Sequence, residues 1–419
     1  SGWVTPLAAV VGLNMTWLMG FESFLLGVGV WAWSLAVWWA GRDRPGPGWA
    51  ITIGLLVLLG YACHLVTFGL IVGSLGVLLT TTPSDRSIRR ARWTWTLTGL
   101  APCAPLFLIY RGLATGQGPF EPIWEHPWLS LSPRVWAVRL GWVDPISLAS
   151  KIVLPFHPES RLWHALLTPA LWWSLALLVG LAGACSDWRR ERRGWWLLGC
   201  GLLGVGLLGP DSLGLDHGHY LPQRLALLGL MLFITLARSP GRTWLSRLGF
   251  AAAVFAWVIQ SAFVWDYASL CRERVEPWER LAARIGERQR IGTLLLESQV
   301  PFRSNPSLHV DCRLGIGNGN ILWSNYETTY YYFPIHYRPG LVTPPAREFE
   351  RIARLDGHAN VEERRERWRA LLQEHGERID RIVIWGRSED ESLLEIANSS
   401  VKSKVQRVED QESLDCPIP

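Results

Sequence analysis

The chain has 419 residues, enough for more than one domain, and 49% of them are hydrophobic. The apolar residues are unevenly spread, because residues 1–266 hold long uncharged runs whereas residues 267–419 form an ordinary charged, soluble sequence. The net charge of +5 comes almost entirely from arginines in short loops between apolar runs. This distribution indicates membrane orientation, and it gives no reason to expect nucleic acid as a partner.

Eight segments of residues 1–266 approach the length of about 20 mostly apolar residues that a membrane-spanning helix needs. The predicted spans are 21–40, 49–63, 65–82, 93–110, 165–184, 195–209, 222–237 and 248–266. The uncharged stretch 1–20 contains Pro6 and Asn14, so we expect a re-entrant or interfacial segment there. Because the chain begins at Ser1 without a signal-peptide pattern, we also expect further sequence upstream.

The chain contains 26 tryptophans, and many of them lie at the edges of apolar runs. Trp38, Trp39 and Trp49 are one such group, and Trp265 closes the last predicted span. Aromatic belts at the boundary between membrane and water have this placement, because an indole is apolar in its body and polar at its N–H. The pattern therefore favours a polytopic membrane domain over a large soluble core.

The arginines predict the orientation of the spans, because cytoplasmic loops are enriched in basic residues. Four short loops, 41–48, 83–92, 185–194 and 238–247, carry 13 arginines together. All four face the cytoplasm only if the run 49–82 crosses twice and turns near Tyr61–Leu65, and we adopt that hairpin. The predicted outer regions are then the loop 111–164, the loop 210–221 and everything after Trp265.

The charged part of the chain, residues 267–419, alternates between helix and strand patterns. Helices are predicted at 267–290, 361–376 and 389–398, and buried strands at 291–296 and 381–386. This alternation favours a small extracytoplasmic α/β domain with a parallel sheet. The glycine-rich stretch GIGNGN, 315–320, lacks the G-K-[ST] ending of a phosphate loop and is interpreted as a turn.

Four stretches together resemble a group of bacterial membrane proteins that look like GT-C glycosyltransferases. They are GFESFLLGVGV (20–30), YACHLVTFGL (61–70), HGHYLPQR (217–224) and WSNYETTYYYFPIHYR (323–338). The resemblance implies a polytopic enzyme of the bacterial inner membrane that uses polyprenyl-phosphate sugars, often with a divalent metal near the lipid phosphate. The family pattern has an acidic residue in the first outer loop. No such loop is visible here, so either that acid lies upstream of Ser1 or the activity is absent.

Two charged residues stand at the predicted outer ends of spans. Glu22 begins the span 21–40, where a carboxylate is a functional candidate, as base or metal ligand, or else a snorkelling side chain. Arg224 lies just inside the span 222–237, and its guanidinium suits a bidentate contact with a lipid phosphate. The alternatives for Arg224 are a structural pair with Asp211, Asp216 or Glu22, and a snorkelling side chain.

Histidines supply the remaining candidates. His64, at the predicted hairpin turn, is a candidate for substrate binding, although a lone histidine is more often a hydrogen-bonded core residue. Asp216, His217 and His219 are candidate metal ligands, and Asp216 is also a candidate catalytic residue. The alternative for all three is a polar loop that solvates two helix ends.

The sequence therefore predicts an all-α membrane domain of about eight helices, residues 1–266, followed by an extracytoplasmic α/β domain, residues 267–419. The leading hypothesis for function is transfer of a sugar from a polyprenyl-phosphate donor at the outer face. A transporter or flippase is a second hypothesis, which predicts internal repeats and broken helices around a polar site. A non-enzymatic assembly protein is a third, and it predicts that alanine at Arg224 and Glu22 has no effect.

Overall fold

The computed structural model of this protein divides into a helical unit that ends at Val264 and a sheet unit that begins at Trp265. The division falls two residues from the predicted boundary after residue 266. The structure describes residues 22–113, 124, 135–136, 139, 192–212, 220–236, 243–296, 310–325, 344–354, 361–386, 392–400 and 404–408.

The described part of the helical unit is built from α-helices. They are α1 (Glu22–Gly41), α2 (Pro47–Cys63), α3 (Leu65–Thr81), α4 (Arg86–Leu100), α5 (Cys103–Leu113), α6 (Arg193–Leu208), α7 (Leu221–Leu236) and α8 (Thr243–Ile285). The last of these, α8, begins in the helical unit and ends in the sheet unit.

Two of the described helices, α1 and α8, are long and apolar enough to cross a membrane by length and composition. The shorter apolar helices α2, α3, α6 and α7 have 16 or 17 residues each, near the lower limit of a span. The predicted span 93–110 is divided between α4 and α5 at Ala101 and Pro102, because proline removes a backbone donor from the helix. The predicted span 165–184 lies outside the described residues.

The chain reverses at His64, inside the segment where the arginine distribution predicts the turn. His64 alone has an extended backbone between α2 and α3. Trp49 near the start of α2 lies against Trp38 near the end of α1, and His64 lies against Phe24 at its start. Trp31, further along α1 than Phe24, bonds Ser74 of α3. Helix α2 is therefore antiparallel to α1, and α3 is parallel to it.

Tryptophans of α1 and α2 link helices of the bundle through hydrogen bonds. Trp31 Nε1 donates to Ser74 Oγ at 2.9 Å, and Trp38 Nε1 donates to Thr96 Oγ1 of α4 at 3.1 Å. Trp49 Nε1 donates to the Val37 carbonyl oxygen at 3.0 Å. Trp38 is completely buried, so its position at the edge of an apolar run reflects internal packing rather than an aromatic belt. Trp265, by contrast, is 78% exposed.

Glycines allow α6 and α7 to pack with their backbones in close approach. A Cβ added at Gly206 lies 2.4 Å from the Ala226 backbone nitrogen, and one at Gly229 lies 2.8 Å from that of Leu203. Small residues at such crossings are typical of helix pairs that associate inside membranes, where van der Waals contact replaces the hydrophobic effect. The two helices are antiparallel neighbours, as the contacts of Gly206 and Gly229 require.

The sheet unit contains a parallel sheet in the order β2-β1-β3-β4. Its strands are β1 (Arg290–Leu295), β2 (Ile321–Leu322), β3 (Arg381–Trp385) and β4 (Lys404–Val408), and its further helices are α9 (Ala346–Arg354), α10 (Val361–His375) and α11 (Ser392–Ser400). The prediction of a parallel sheet with alternating helices is confirmed. The turn at GIGNGN is also confirmed, since Gly317 and Gly319 have positive φ angles immediately before β2.

Both faces of the sheet are covered. Ile382 and Ile384 of β3 pack with Trp368 of α10 on one face, and Val383 and Trp385 pack with α8 on the other. A sheet buried on both faces accounts for the continuous apolar run IVIW in β3, since neither set of alternating side chains meets water.

We predict that Gly206→Leu destabilises the α6–α7 pair by about 1–3 kcal/mol, because the new side chain overlaps the Ala226 backbone. The measurement is thermal unfolding of the full chain in detergent. Gly204→Leu on the same helix is the matched control, since a Cβ there meets no atom within 4 Å. Equal losses in the two variants would contradict the close packing of these helices.

Candidate site at the Arg224 end of the helical unit

The two ends of the described bundle differ in their use of arginine. At one end, Arg92 of α4 is fully buried and bonds the carbonyl oxygens of Arg42 (2.9 Å) and Thr82 (3.1 Å). It also lies 3.5 Å from Asp43. These contacts join the ends of α1 and α3 to the first turns of α4. We call this the Arg92 end, and it contains residues of the first two arginine-rich loops.

The opposite end brings together the start of α1, the turn at His64 and the start of α7. Arg224 Nη1 lies 3.3 Å from His64 Nε2, across 160 residues of sequence. The Arg224 guanidinium carbon lies 4.8 Å from the centre of the Phe24 ring, and the Phe24 and His64 rings meet edge to face at 5.6 Å. Arg224, His64 and Phe24 form what we call the Arg224 site.

Helix α7 carries Arg224 into this position because the neighbouring residues are anchored in the bundle. Arg224 is only 7% exposed, and Leu225, Ala226 and Leu228 beside it are buried. A buried guanidinium is costly unless other groups replace its water. The Phe24 ring face supplies part of that replacement through a cation–π contact. Arg224 and His64 are predicted from the sequence as substrate-binding candidates on separate grounds, and the structure brings the two side chains together.

His64 belongs to neither helix and caps the second of them. Its Nδ1 accepts a hydrogen bond from the Val66 N–H of α3 at 3.1 Å. Burial lowers the pKa of the imidazole from 6.5 to about 4, and the positive charge of Arg224 acts in the same direction. The ring is therefore neutral at pH 7, with one N–H and one acceptor nitrogen.

A neutral imidazole can satisfy only one of the two contacts that His64 makes. If Nδ1 accepts from Val66, the proton lies on Nε2, and that N–H faces an N–H of Arg224. If Nε2 instead accepts from Arg224, the Nδ1 proton faces the Val66 N–H. An anionic oxygen placed beside Nε2 and Nη1 accepts from both donors and allows the cap to remain. The geometry is therefore suited to bind one oxygen of a phosphate.

Of the other predicted site residues, the structure describes only Glu22. Glu22 is exposed in the first turn of α1, two residues before Phe24. Asp216, His217 and His219 lie outside the described residues, so their predicted metal site is not tested. Elsewhere in the described part of the chain, no cluster of three or more His, Cys, Asp or Glu side chains has the arrangement to hold a metal ion.

Asp211, considered above as a structural partner of Arg224, bonds a different arginine. Arg139 is almost fully buried, and its guanidinium donates to Asp211 at 2.8 Å and to the Leu207 carbonyl oxygen at 2.7 Å. Trp124 donates to the neighbouring Leu208 carbonyl oxygen at 3.4 Å. Two residues of the loop 111–164 thus cover the end of α6. Sequence reasoning missed Arg139, and its one signal was an arginine among the tryptophans of that loop.

Comparison with protein-family models, with curated proteins and with solved structures found no match for this chain.

We predict that His64→Ala and His64→Asn have different effects on α3. Asparagine is a good N-cap and retains an acceptor for the Val66 N–H, whereas alanine removes it at a cost of about 1 kcal/mol. Amide hydrogen exchange at Val66 is therefore expected to accelerate about fivefold in His64→Ala and to remain close to the native rate in His64→Asn. Similar acceleration in both variants would show that His64 does not cap this helix.

Proposed function

We propose that the helical unit crosses a membrane and transfers a sugar from a polyprenyl-phosphate donor, whose phosphate binds at the Arg224 site. The observation that carries this proposal is the convergence of Arg224 Nη1 and His64 Nε2 at 3.3 Å beside Phe24. It supplies a charged donor and a neutral donor for one anionic oxygen at the end of an apolar bundle.

Exposed apolar side chains on the helices support the membrane location. Large members of this set are Leu26, Trp33, Ile51, Leu55, Leu97, Phe107, Leu197, Val205, Phe255 and Trp257. Trp33 is 63% exposed although it lies in the middle of α1. So many large apolar side chains exposed on helices are unusual for a soluble monomer but normal for helices in lipid. We therefore propose that lipid acyl chains, rather than water, surround these side chains.

The charge difference between the two ends supports the orientation. The Arg92 end has the arginine content of cytoplasmic loops, and the Arg224 site lies at the other end of α1 and α3. The proposed orientation therefore places the Arg224 site at the outer face of the bacterial inner membrane, with the sheet unit extracytoplasmic. About eight spans fit this orientation if residues 165–184 also cross.

The proposed reaction increases the negative charge on the lipid phosphate. The hydroxyl of the acceptor attacks the anomeric carbon, the bond from that carbon to the phosphate oxygen breaks, and its electron pair leaves with the phosphate. A diester with one negative charge becomes a monoester with up to two. Arg224 and His64 then donate to oxygens whose charge grows in the transition state, and that differential stabilisation lowers the barrier.

The proton of the acceptor hydroxyl also needs a base. Glu22 is the described carboxylate nearest in sequence to Phe24 and begins α1 at the same end, so we assign it that role. Asp216, with His217 and His219, would hold a divalent metal in this proposal, and the metal would supply positive charge in addition to that of Arg224.

We predict that Arg224→Gln weakens binding of undecaprenyl phosphate by at least about tenfold, because a charged hydrogen-bond donor is lost. The measurement is lipid binding by native mass spectrometry on the full chain in detergent. Arg224→Lys is expected to retain part of the affinity, since it keeps the charge without the two-pronged geometry. His64→Asn is expected to weaken binding while α3 stays intact.

Arg111→Gln is the control, because it removes the same charge from an exposed arginine of α5. Undecaprenol, which has no phosphate, is expected to bind weakly to every variant. Equal binding of undecaprenyl phosphate by wild type and Arg224→Gln would refute the phosphate role. Sugar transfer that survives Arg224→Gln unchanged would favour a different enzyme mechanism, and absence of transfer with intact lipid binding would favour the transporter hypothesis.

A further inference from the structure

A second polar cleft lies at the Arg92 end, away from the Arg224 site. Its volume is about 240 Å³, and it is bounded by the end of α3, the first turns of α4 and the start of α6. The lining residues that matter for recognition are Thr80, Thr81, Thr82, Arg89, Trp93 and Arg193. Pockets that enclose whole drug-sized ligands begin at about 300 Å³, so this cleft suits a headgroup rather than a complete lipid.

Two arginines provide the charge of the cleft. Arg193 is the first residue of α6, and Arg89 lies in the first turn of α4, where its guanidinium bonds the Ser84 carbonyl oxygen at 3.1 Å. Asp43, a carboxylate at this end, is within ion-pair distance of Arg42 (3.3 Å) and Arg92 (3.5 Å) instead. The amino-terminal ends of α4 and α6 also carry partial positive charge.

Asp85, the exposed residue before α4, does not line the cleft. The carboxyl-terminal end of α3 does line it and opposes an anion, because helix carbonyls carry partial negative charge. Its effect is reduced by two contacts. The Thr82 carbonyl oxygen accepts from the buried Arg92 at 3.1 Å, and the Leu78 carbonyl oxygen accepts from the Thr82 N–H at 3.0 Å. Positive charge therefore dominates the cleft.

The position of Trp93 indicates where the cleft lies in a membrane. Its indole lines the cleft and is 38% exposed, just after the arginine-rich start of α4. Partly exposed tryptophans beside basic residues are typical of the headgroup level of a bilayer. Basic pockets between helices on the cytoplasmic side recognise the phosphates of anionic lipids.

We infer that this cleft binds the phosphate headgroup of an anionic phospholipid of the inner leaflet. The inference rests on the proposed membrane crossing and orientation, but not on sugar transfer or on the Arg224 site. Arg89 and Arg193 contact the phosphate from α4 and α6, and Trp93 lies against the glycerol region. A lipid held there links α3, α4 and α6 at the cytoplasmic surface.

The test measures retention of phosphatidylglycerol and phosphatidylcholine by the full chain in native mass spectrometry. It is run in the Arg224→Gln background, so that the outer site does not contribute. We expect one phosphatidylglycerol to bind more tightly than phosphatidylcholine. Arg193→Gln and Arg89→Gln are each expected to weaken it about fivefold, and Arg193→Lys to retain most of the affinity because the charge remains.

Arg90→Gln is the matched control, since Arg90 is an exposed neighbour of Arg89 and does not line the cleft. Equal losses in Arg90→Gln and Arg193→Gln would overturn the inference, because they would indicate diffuse surface charge. Arginine-dependent binding of inorganic phosphate without preference for phosphatidylglycerol would overturn the lipid assignment. Undecaprenyl phosphate binding by Arg193→Gln, with Arg224 restored, is expected to be unchanged, so failure here is distinguishable from failure at the outer site.

Discussion

A positive charge buried at one end of an apolar bundle is the constraint on which the helical unit depends. Arg224 is 7% exposed, and a guanidinium in that position must exchange its water for other partners. The Phe24 ring and the His64 imidazole are among those partners, and they come from α1 and from the turn between α2 and α3. The contacts that close this end of the bundle are therefore also the contacts that form the Arg224 site.

A buried arginine contacts groups from several elements at each end of the bundle. Arg92 is buried at the other end, where it bonds backbone carbonyl oxygens of Arg42 and Thr82. The two buried arginines differ in their partners, and this difference matters for function. Carbonyl oxygens accept hydrogen bonds from Arg92, whereas the His64 ring can accept from Arg224 only by giving up its cap on α3. An anion beside Arg224 and His64 removes that conflict at the His64 ring.

Much of the fold is readable from the sequence because it follows from local patterns. The reversal at His64 follows from the arginine loops, and the parallel sheet follows from strands such as RIVIW between helical patterns. The choice of Arg224 follows from the cost of placing a charge within an apolar run. These features can be predicted from the charge of the loops, the hydrophobic periodicity and the length of the apolar runs.

The remaining features depend on contacts between distant residues. His64 and Arg224 are separated by 160 positions in the sequence, and no rule of sequence spacing relates the two residues. Trp38 has the sequence setting of an interfacial tryptophan, but its N–H reaches Thr96 inside the bundle. The residues of the pair Arg139–Asp211 are 72 positions apart, and the pair involves an aspartate that the sequence offered as a partner for Arg224.

The central claim is that the bundle crosses a membrane with the Arg224 site outside and the Arg92 end inside. Single cysteines in a cysteine-free chain test it, with Tyr220→Cys beside the Arg224 site and Ser87→Cys in α4, both at exposed positions. The reagent is a membrane-impermeant maleimide added to intact cells, with permeabilised cells as reference. The account predicts that position 220 reacts in intact cells and that position 87 reacts only after permeabilisation. Equal labelling at both positions, or the reverse order, would contradict it.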